Sequence, residues 1–116
     1  MDNAMTFVLL LAPALALTLL AAHFYRAGAW PLMLASVAVI GLLALPRAWV
    51  ARLVQFVLVL GAAEWIWTTA VLVQQRMALG QPWMRLAAIL GAVALFTAAA
   101  ALVFERASLR ARFRLA

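Results

Sequence analysis

The chain has 116 residues, of which 71% are hydrophobic and 10% are charged, with no cysteine, one histidine and a formal net charge of +6. Soluble domains average about 45–50% apolar and about 25% charged residues. This chain has too few polar side chains to cover its apolar ones, which excludes a water-soluble globule. The absence of cysteine excludes disulfides, thiolate metal sites and cysteine nucleophiles. A single histidine leaves too few imidazoles for most histidine-based metal centres, so we expect neither a metal site nor a bound cofactor.

Four apolar stretches are candidates for membrane spans, and they cover about residues 5–22, 31–45, 53–73 and 86–104. A helix needs about 20 apolar residues to cross a hydrocarbon core about 30 Å thick, so the second stretch is short. Backbone polar groups cannot stay unpaired in lipid, which leaves helices or closed barrels. Long apolar runs without alternation favour helices. The prediction is an all-α integral membrane bundle of four transmembrane helices.

Glycine followed by proline punctuates two of the breaks between these spans. Gly28 precedes Pro31, and Gly80 precedes Pro82. Glycine is typical of the position just after a helix, and proline is typical of the first turn of the next one. We therefore predict two tight helical hairpins in a single transmembrane domain, residues 1–116.

The distribution of arginine predicts the orientation of the chain. The corner between the second and third spans and the C-terminal tail hold six arginines: Arg47, Arg52, Arg106, Arg110, Arg112 and Arg114. The opposite loops hold three: Arg26, Arg76 and Arg85. By the positive-inside rule, both termini face the cytoplasm. All basic residues are arginine, which is typical of a GC-rich genome and predicts a multi-pass protein of a bacterial inner membrane. No soluble face remains to display the positive charge to nucleic acid, so none is expected as a partner.

The tail, residues 105–116, is predicted to continue the fourth helix as a basic amphipathic helix. Arg106, Arg110 and Arg114 recur on one face of this helix, and Leu109, Phe113 and Ala116 lie on another. Arg112 is a fourth basic residue of the tail. Each arginine near an anionic leaflet contributes about 1 kcal/mol to membrane attachment. The alternative is that the tail docks an acidic partner protein.

Glu64 is the one charged residue inside a predicted span. It is the twelfth of 21 residues in the stretch 53–73, near the membrane midplane. A charge there costs about 2.5–3.5 kcal/mol on insertion scales and marks a functional candidate. The nearest arginines along the chain, Arg52 and Arg76, are 12 positions away, or about 18 Å along a helix. Glu64 is therefore predicted to be protonated, or paired with another subunit or a ligand.

Gly61, Glu64 and Thr68 follow helical spacing and form a candidate intramembrane polar site. Three roles remain open for it. A protonated Glu64 could donate to the Leu9 carbonyl or to Thr97 and hold two helices together. Alternatively, it could be a proton- or cation-coupled transport site, or a contact between subunits.

Two further groups of residues are candidates for contacts with a ligand or lipid. Trp65 and Trp67 flank Glu64 at a depth that interfacial aromatic residues do not occupy, and their indole N–H groups need acceptors. They could equally fill a groove of the bundle. His23 ends the first span beside Tyr25 and Arg26, where the three could form a quinone or lipid-headgroup site. Alternatively, His23 is an ordinary interfacial histidine, and haem ligation would need a second chain.

No catalytic or nucleotide-binding motif is present, and one histidine with three acids makes a self-contained catalytic site improbable. We predict a non-enzymatic accessory or assembly subunit of a larger membrane complex, with membrane lipids and other membrane-protein subunits as partners. The alternative is a homo-oligomeric small-solute or proton-coupled transporter that uses Glu64. Four short spans resemble the small multidrug resistance transporters, but their glutamate lies in the first helix, so the resemblance is one of architecture alone.

Overall fold

A computed structural model describes residues 3–114. Of this part of the chain 85% is helical and none of it forms a strand, which confirms the all-helical prediction. The elements in chain order are α1 (Asn3–Arg26), α2 (Trp30–Leu42), α3 (Ala48–Ala78), α4 (Met84–Leu102), a 3-10 turn (Val103–Glu105) and α5 (Ala107–Arg112).

Three helical segments are long and apolar enough to cross a membrane: Ala4–Arg26, Ala48–Ala78 and Met84–Glu105. Each contains one of the predicted spans. The third predicted span is embedded in the much longer helix α3, which has 31 residues. Counting apolar residues therefore locates these three helices but underestimates their length.

Helix α2 is shorter than the predicted span 31–45. It has 13 residues, or about 20 Å of helix, against a hydrocarbon core of about 30 Å. The helix ends at Leu42 because Pro46 follows closely. Proline disfavours helical backbone in the residue before it, here Leu45, so the last predicted residues form a turn instead.

Both glycines predicted to end helices have left-handed backbone, with φ of +77° at Gly28 and +70° at Gly80. Side chains with a Cβ rarely adopt this conformation, which explains glycine at both positions. In each turn the N–H after the glycine donates back to the preceding helix, from Ala29 and from Gln81. Pro31 lies in the first turn of α2, as its spacing predicts.

Helix α1 lies mainly against α2, and α3 lies mainly against α4. The largest hydrophobic cluster joins all five helices at the end of the molecule where α3 begins. Its largest fully buried side chains are Leu17, Leu58, Phe104, Leu109 and Phe113.

The two parallel helices α1 and α3 are offset along their axes. Gly61 of α3 faces Leu20 of α1, because a Cβ added to Gly61 would lie 2.9 Å from Leu20 Cδ2. From this level α1 continues to Arg26 and α3 continues to Ala78. At 1.5 Å per residue these lengths are about 9 Å and about 25 Å. Helix α3 therefore extends about 16 Å beyond the end of α1.

The tail does not continue α4, so this prediction is wrong. The chain leaves the helix after Leu102, and Arg106 has extended backbone with φ −72° and ψ 147°. Helix α5 then folds back against α1. Leu109 and Phe113 are fully buried, and the Phe113 ring lies 5.5 Å from that of Phe104. A straight helix would have carried both apolar side chains away from the core, and the break at Arg106 lets them be buried.

Arg112 ties the tail to the end of α2. Its Nη2 donates to the carbonyl of Leu43 at 3.0 Å and lies 3.4 Å from that of Ala44. Carbonyls that follow a helix end have no partner within the helix, so the guanidinium acts as a cap. Ala116, predicted on the apolar face of the tail, lies outside the described residues.

Glu105 joins the tail to α3. Its carboxylate accepts from Arg110 at 2.6 Å and from Arg52 at 3.0 Å. Arg106 and Arg114 are exposed. Attachment of the tail arginines to the membrane surface stays a prediction. Two of them, Arg110 and Arg112, also form hydrogen bonds within the chain.

Replacing Phe113 by alanine is expected to destabilise the protein. Loss of a fully buried phenylalanine leaves a cavity and costs about 3 kcal/mol or more. The free energy of unfolding in detergent measures the effect. Leu102→Ala is the matched control, because Leu102 is 67% exposed and its loss should change stability by about 0.5 kcal/mol or less. Equal losses in the two variants would contradict the docked tail.

Candidate functional site

Glu64 pairs with a histidine on another helix. Its Oε2 lies 3.0 Å from Nε2 of His23, and the hydroxyl of Thr68 donates to the same oxygen at 3.2 Å. The Thr68 hydroxyl also lies 3.4 Å from His23 Nε2. An imidazole, a carboxylate and a hydroxyl therefore meet between α1 and α3.

The local sequence explains why these groups meet. Gly61 has no side chain, so Leu20 of α1 can approach α3 closely. His23 follows Leu20 by three residues and Glu64 follows Gly61 by three, so the close approach brings the next turn of each parallel helix level. Thr68 lies one turn after Glu64 on the same face of α3.

Aromatic rings surround the imidazole of His23. The ring of Trp65 lies 4.7 Å from it and that of Phe24 lies 5.4 Å from it, measured between centroids. Trp65 is only 7% exposed. Within residues 3–114 its buried indole Nε1 has no hydrogen-bond partner. The imidazole is thus held by packing on one side and by Glu64 on the other.

The pair is only partly enclosed. The side chain of His23 is 16% exposed and that of Glu64 is 35% exposed. A cavity of about 300 Å³ between α1, α2 and α3 borders Glu64, and one of about 220 Å³ borders both residues and Trp67. No hydrogen bond from the described residues reaches Glu64 Oε1, since both bonds to the carboxylate use Oε2. One carboxylate oxygen is therefore left for a partner beyond residues 3–114.

The partners predicted for a protonated Glu64 are wrong. The hydroxyl of Thr97 donates instead to the Val93 carbonyl in its own helix, at 2.8 Å. Leu9 lies 14 residues before His23, about 21 Å along α1 from the level of Glu64. Position within a span does not show which residues of α1 and α3 are level, because the two helices are offset along their axes.

His23 was predicted near a ligand site but not as the partner of Glu64. A signal for the pairing was present in the sequence. His23 and Glu64 are rare titratable residues in or beside apolar spans, and intramembrane ionisable groups usually pair with one another.

The remaining predicted site residues divide into two groups. Gly61, Thr68 and Trp65 adjoin the pair, and Trp67 borders the cavity of about 220 Å³ although its side chain is 68% exposed. Tyr25 instead packs edge-on against Trp30, with ring centroids 5.2 Å apart. Arg26 lines a separate cavity between α1, α3 and α4, together with His23.

No protein-family model, curated protein or solved structure matches this chain. Within residues 3–114 no group of three or more His, Asp or Glu side chains could hold a metal ion. The chemistry on which the site can draw is that of an imidazole hydrogen-bonded to a carboxylate, which can hold, share and exchange a proton.

A double-mutant cycle on His23 and Glu64 should reveal their coupling. Interhelical hydrogen bonds in membranes average about 0.6 kcal/mol and reach about 1.7 kcal/mol. The expected interaction free energy between His23→Leu and Glu64→Leu is therefore about 1 kcal/mol, measured by unfolding in detergent. The control cycle pairs Glu64→Leu with Thr97→Val, which should be additive because Thr97 bonds within its own helix. Additivity in both cycles would argue against the pair.

Proposed function

We propose that this protein is a non-enzymatic, multi-pass protein of a bacterial inner membrane and acts as an accessory or assembly subunit of a larger membrane complex. The observation that carries the proposal is the partly exposed Glu64 carboxylate, whose Oε1 accepts no hydrogen bond from the described residues. Glu64 lies 16 residues after the first residue of α3 and 14 before the last, about 24 Å and about 21 Å from the two ends.

This carboxylate is partly exposed at the surface of the chain. Its side chain is 35% exposed, and its Oε1 accepts no hydrogen bond from the described residues. An unsatisfied polar group in hydrocarbon costs several kcal/mol. A helix of a neighbouring subunit that donates to Oε1 removes this cost. Trp67, one turn along the same helix, offers a large exposed side chain to the same neighbour.

The proposed topology has four membrane segments and both termini in the cytoplasm. Helix α2 is apolar and lies against α1, which supports its assignment as the fourth segment. The two arginine-rich parts of the chain are at one end of the molecule, because Arg52 pairs with Glu105 and Arg112 bonds to Leu43. Six of nine arginines at that end favour the cytoplasmic side.

A homo-oligomeric transporter of protons or small solutes is the second candidate function. Glu64 borders a cavity of about 300 Å³, and His23 and Glu64 both border one of about 220 Å³, which gives small molecules room to approach the pair. Ionisable residues at this depth commonly mark proton or substrate pathways. In this alternative, the neighbour that covers Glu64 is a second copy of the chain.

Photo-crosslinking in intact bacterial membranes tests the proposal. A photoreactive amino acid at position 67 should give adducts with a different membrane protein, and Glu64→Leu should weaken them. Position 95 on α4 is the control, because Leu95 is 72% exposed, and it should react with lipid only.

Two outcomes would contradict the subunit proposal. An adduct from position 67 whose mass is twice that of the chain, which is 12.6 kDa, would identify a second copy and favour the transporter. If position 67 gives no protein adducts, or if positions 67 and 95 give them equally, no subunit covers the Glu64 face.

A further inference from the structure

Glu64 lies near the middle of α3 but close to the end of α1. Its partner His23 is three residues before Arg26, the last residue of α1, and three residues of helix rise about 4.5 Å. The offset between the helices explains the difference, because α3 continues far beyond this level. The end of the molecule at the turn after α1, the outer end, is opposite the arginine-rich end that holds Arg52 and Arg112.

Water reaches the outer end of α1 at Arg26. A guanidinium stays charged, and a charge inside hydrocarbon is costly, so the exposed Arg26 lies in water or among lipid headgroups. The cavity between α1, α3 and α4, of about 560 Å³, borders Arg26 as well as His23 and Thr68. A water molecule takes up about 30 Å³ and needs polar partners, which these three side chains supply. Water can therefore approach the imidazole from the outer end.

The interval between the pair and the arginine-rich end is packed. Leu17 of α1 and three side chains of α3, Val50, Val54 and Leu58, are 0% exposed. The three residues of α3 lie 6 to 14 positions before Glu64, about 9 to 21 Å along the helix. Protein interiors are close-packed, with few voids larger than a water molecule. The pair is therefore closed towards the arginine-rich end.

Few charged side chains face the pair. From α2, Ser36 lines the cavity that borders Glu64, and from α4 only Leu86 and Leu90 line the cavity that borders His23. Among the described residues that line the cavities around the pair, Arg26 is the one further charged side chain. Titration at this site therefore belongs to the imidazole and the carboxylate.

The imidazole of His23 has one nitrogen left to bind a proton. Nε2 lies 3.0 Å from Oε2 of Glu64, and a proton between these two atoms makes the hydrogen bond. Within residues 3–114 no hydrogen bond reaches Nδ1, since both contacts of the ring use Nε2. With Nε2 as the donor, Nδ1 carries a lone pair that can accept a proton from water.

We propose that Nδ1 of His23 is a proton-binding site that exchanges with water at the outer end only. A proton from that water forms an N–H bond at Nδ1 and converts the imidazole to an imidazolium, which pairs with the Glu64 carboxylate. The pair then responds to the acidity on one side of the membrane. A proton pathway through the chain would need access from both ends, so the site is a sensor of protons. The inference does not rest on the subunit that covers Glu64 in the proposed function.

Cysteine labelling tests the one-sided access, because the chain has no cysteine of its own. Thr68→Cys places a thiol beside the pair and keeps both of its members. Sealed right-side-out and inverted membrane vesicles are each treated with a small charged thiol reagent that does not cross membranes. Thr68→Cys should react from the side opposite to the one that labels Ala48→Cys, at the exposed first residue of α3. Thr97→Cys is the matched control and should react from neither side, because Thr97 is 0% exposed.

Nuclear magnetic resonance of isotope-labelled histidine tests the proton site on the unmodified chain, and it keeps the proposal testable if Thr68→Cys fails to fold. The ring-nitrogen signals of His23 are recorded in the same sealed vesicles. They should shift when the pH at the outer end is lowered from about 8 to 5, the range in which histidine ordinarily changes its charge. The same change of pH at the arginine-rich end alone should leave them unchanged.

Three results would overturn the proposal. Labelling of Thr68→Cys from the side that labels Ala48→Cys, or from both sides, would show access from the arginine-rich end. Labelling from neither side would show that water does not reach the pair. Histidine signals that respond to pH at neither end, or at both, would show that Nδ1 is not a one-sided proton site.

Discussion

The hydrogen bond between His23 and Glu64 joins two helices that otherwise share little contact. Helix α1 lies mainly against α2, and its contact with α3 is concentrated where Leu20 meets Gly61 and His23 meets Glu64. In an apolar environment, polar groups must find partners within the protein or pay several kcal/mol each. The pair meets this requirement for one imidazole nitrogen, Nε2, and for one carboxylate oxygen. Together with the close approach of Leu20 to Gly61, the pair fixes the level at which α1 lies along α3.

The two sides of this pair differ, and the difference organises the proposed functions. On the outer side, Glu64 presents an unbonded carboxylate oxygen near the middle of a long apolar helix, which favours a covering protein. On the side of α4, a cavity of about 560 Å³ with a mostly apolar wall borders both His23 and Arg26. Within residues 3–114 no group donates to the remaining carboxylate oxygen, Oε1.

The sequence predicts the features that depend on local signals. It does not predict the features that depend on packing between helices. Helices α1, α3 and α4 follow from long apolar runs bounded by charge, and the turns at Gly28 and Gly80 follow from local backbone requirements. The break at Arg106 could not be predicted, because it is favoured by burial of Phe113 against distant residues. The His23–Glu64 pair was missed for a similar reason. Spacing along one helix shows which residues share a face, but the offset between helices depends on the close approach of Leu20 to Gly61.

Nuclear magnetic resonance of the imidazole in lipid bilayers tests the pair most directly. His23 is the only histidine of the chain, so isotope-labelled histidine gives signals from one ring alone. We predict that Glu64→Gln shifts the ring-nitrogen signals of His23, because the carboxylate lies 3.0 Å from Nε2. Glu105→Gln, at the far end of the molecule, should leave them unchanged. Signals that respond to neither substitution, or equally to both, would contradict the pairing of His23 with Glu64.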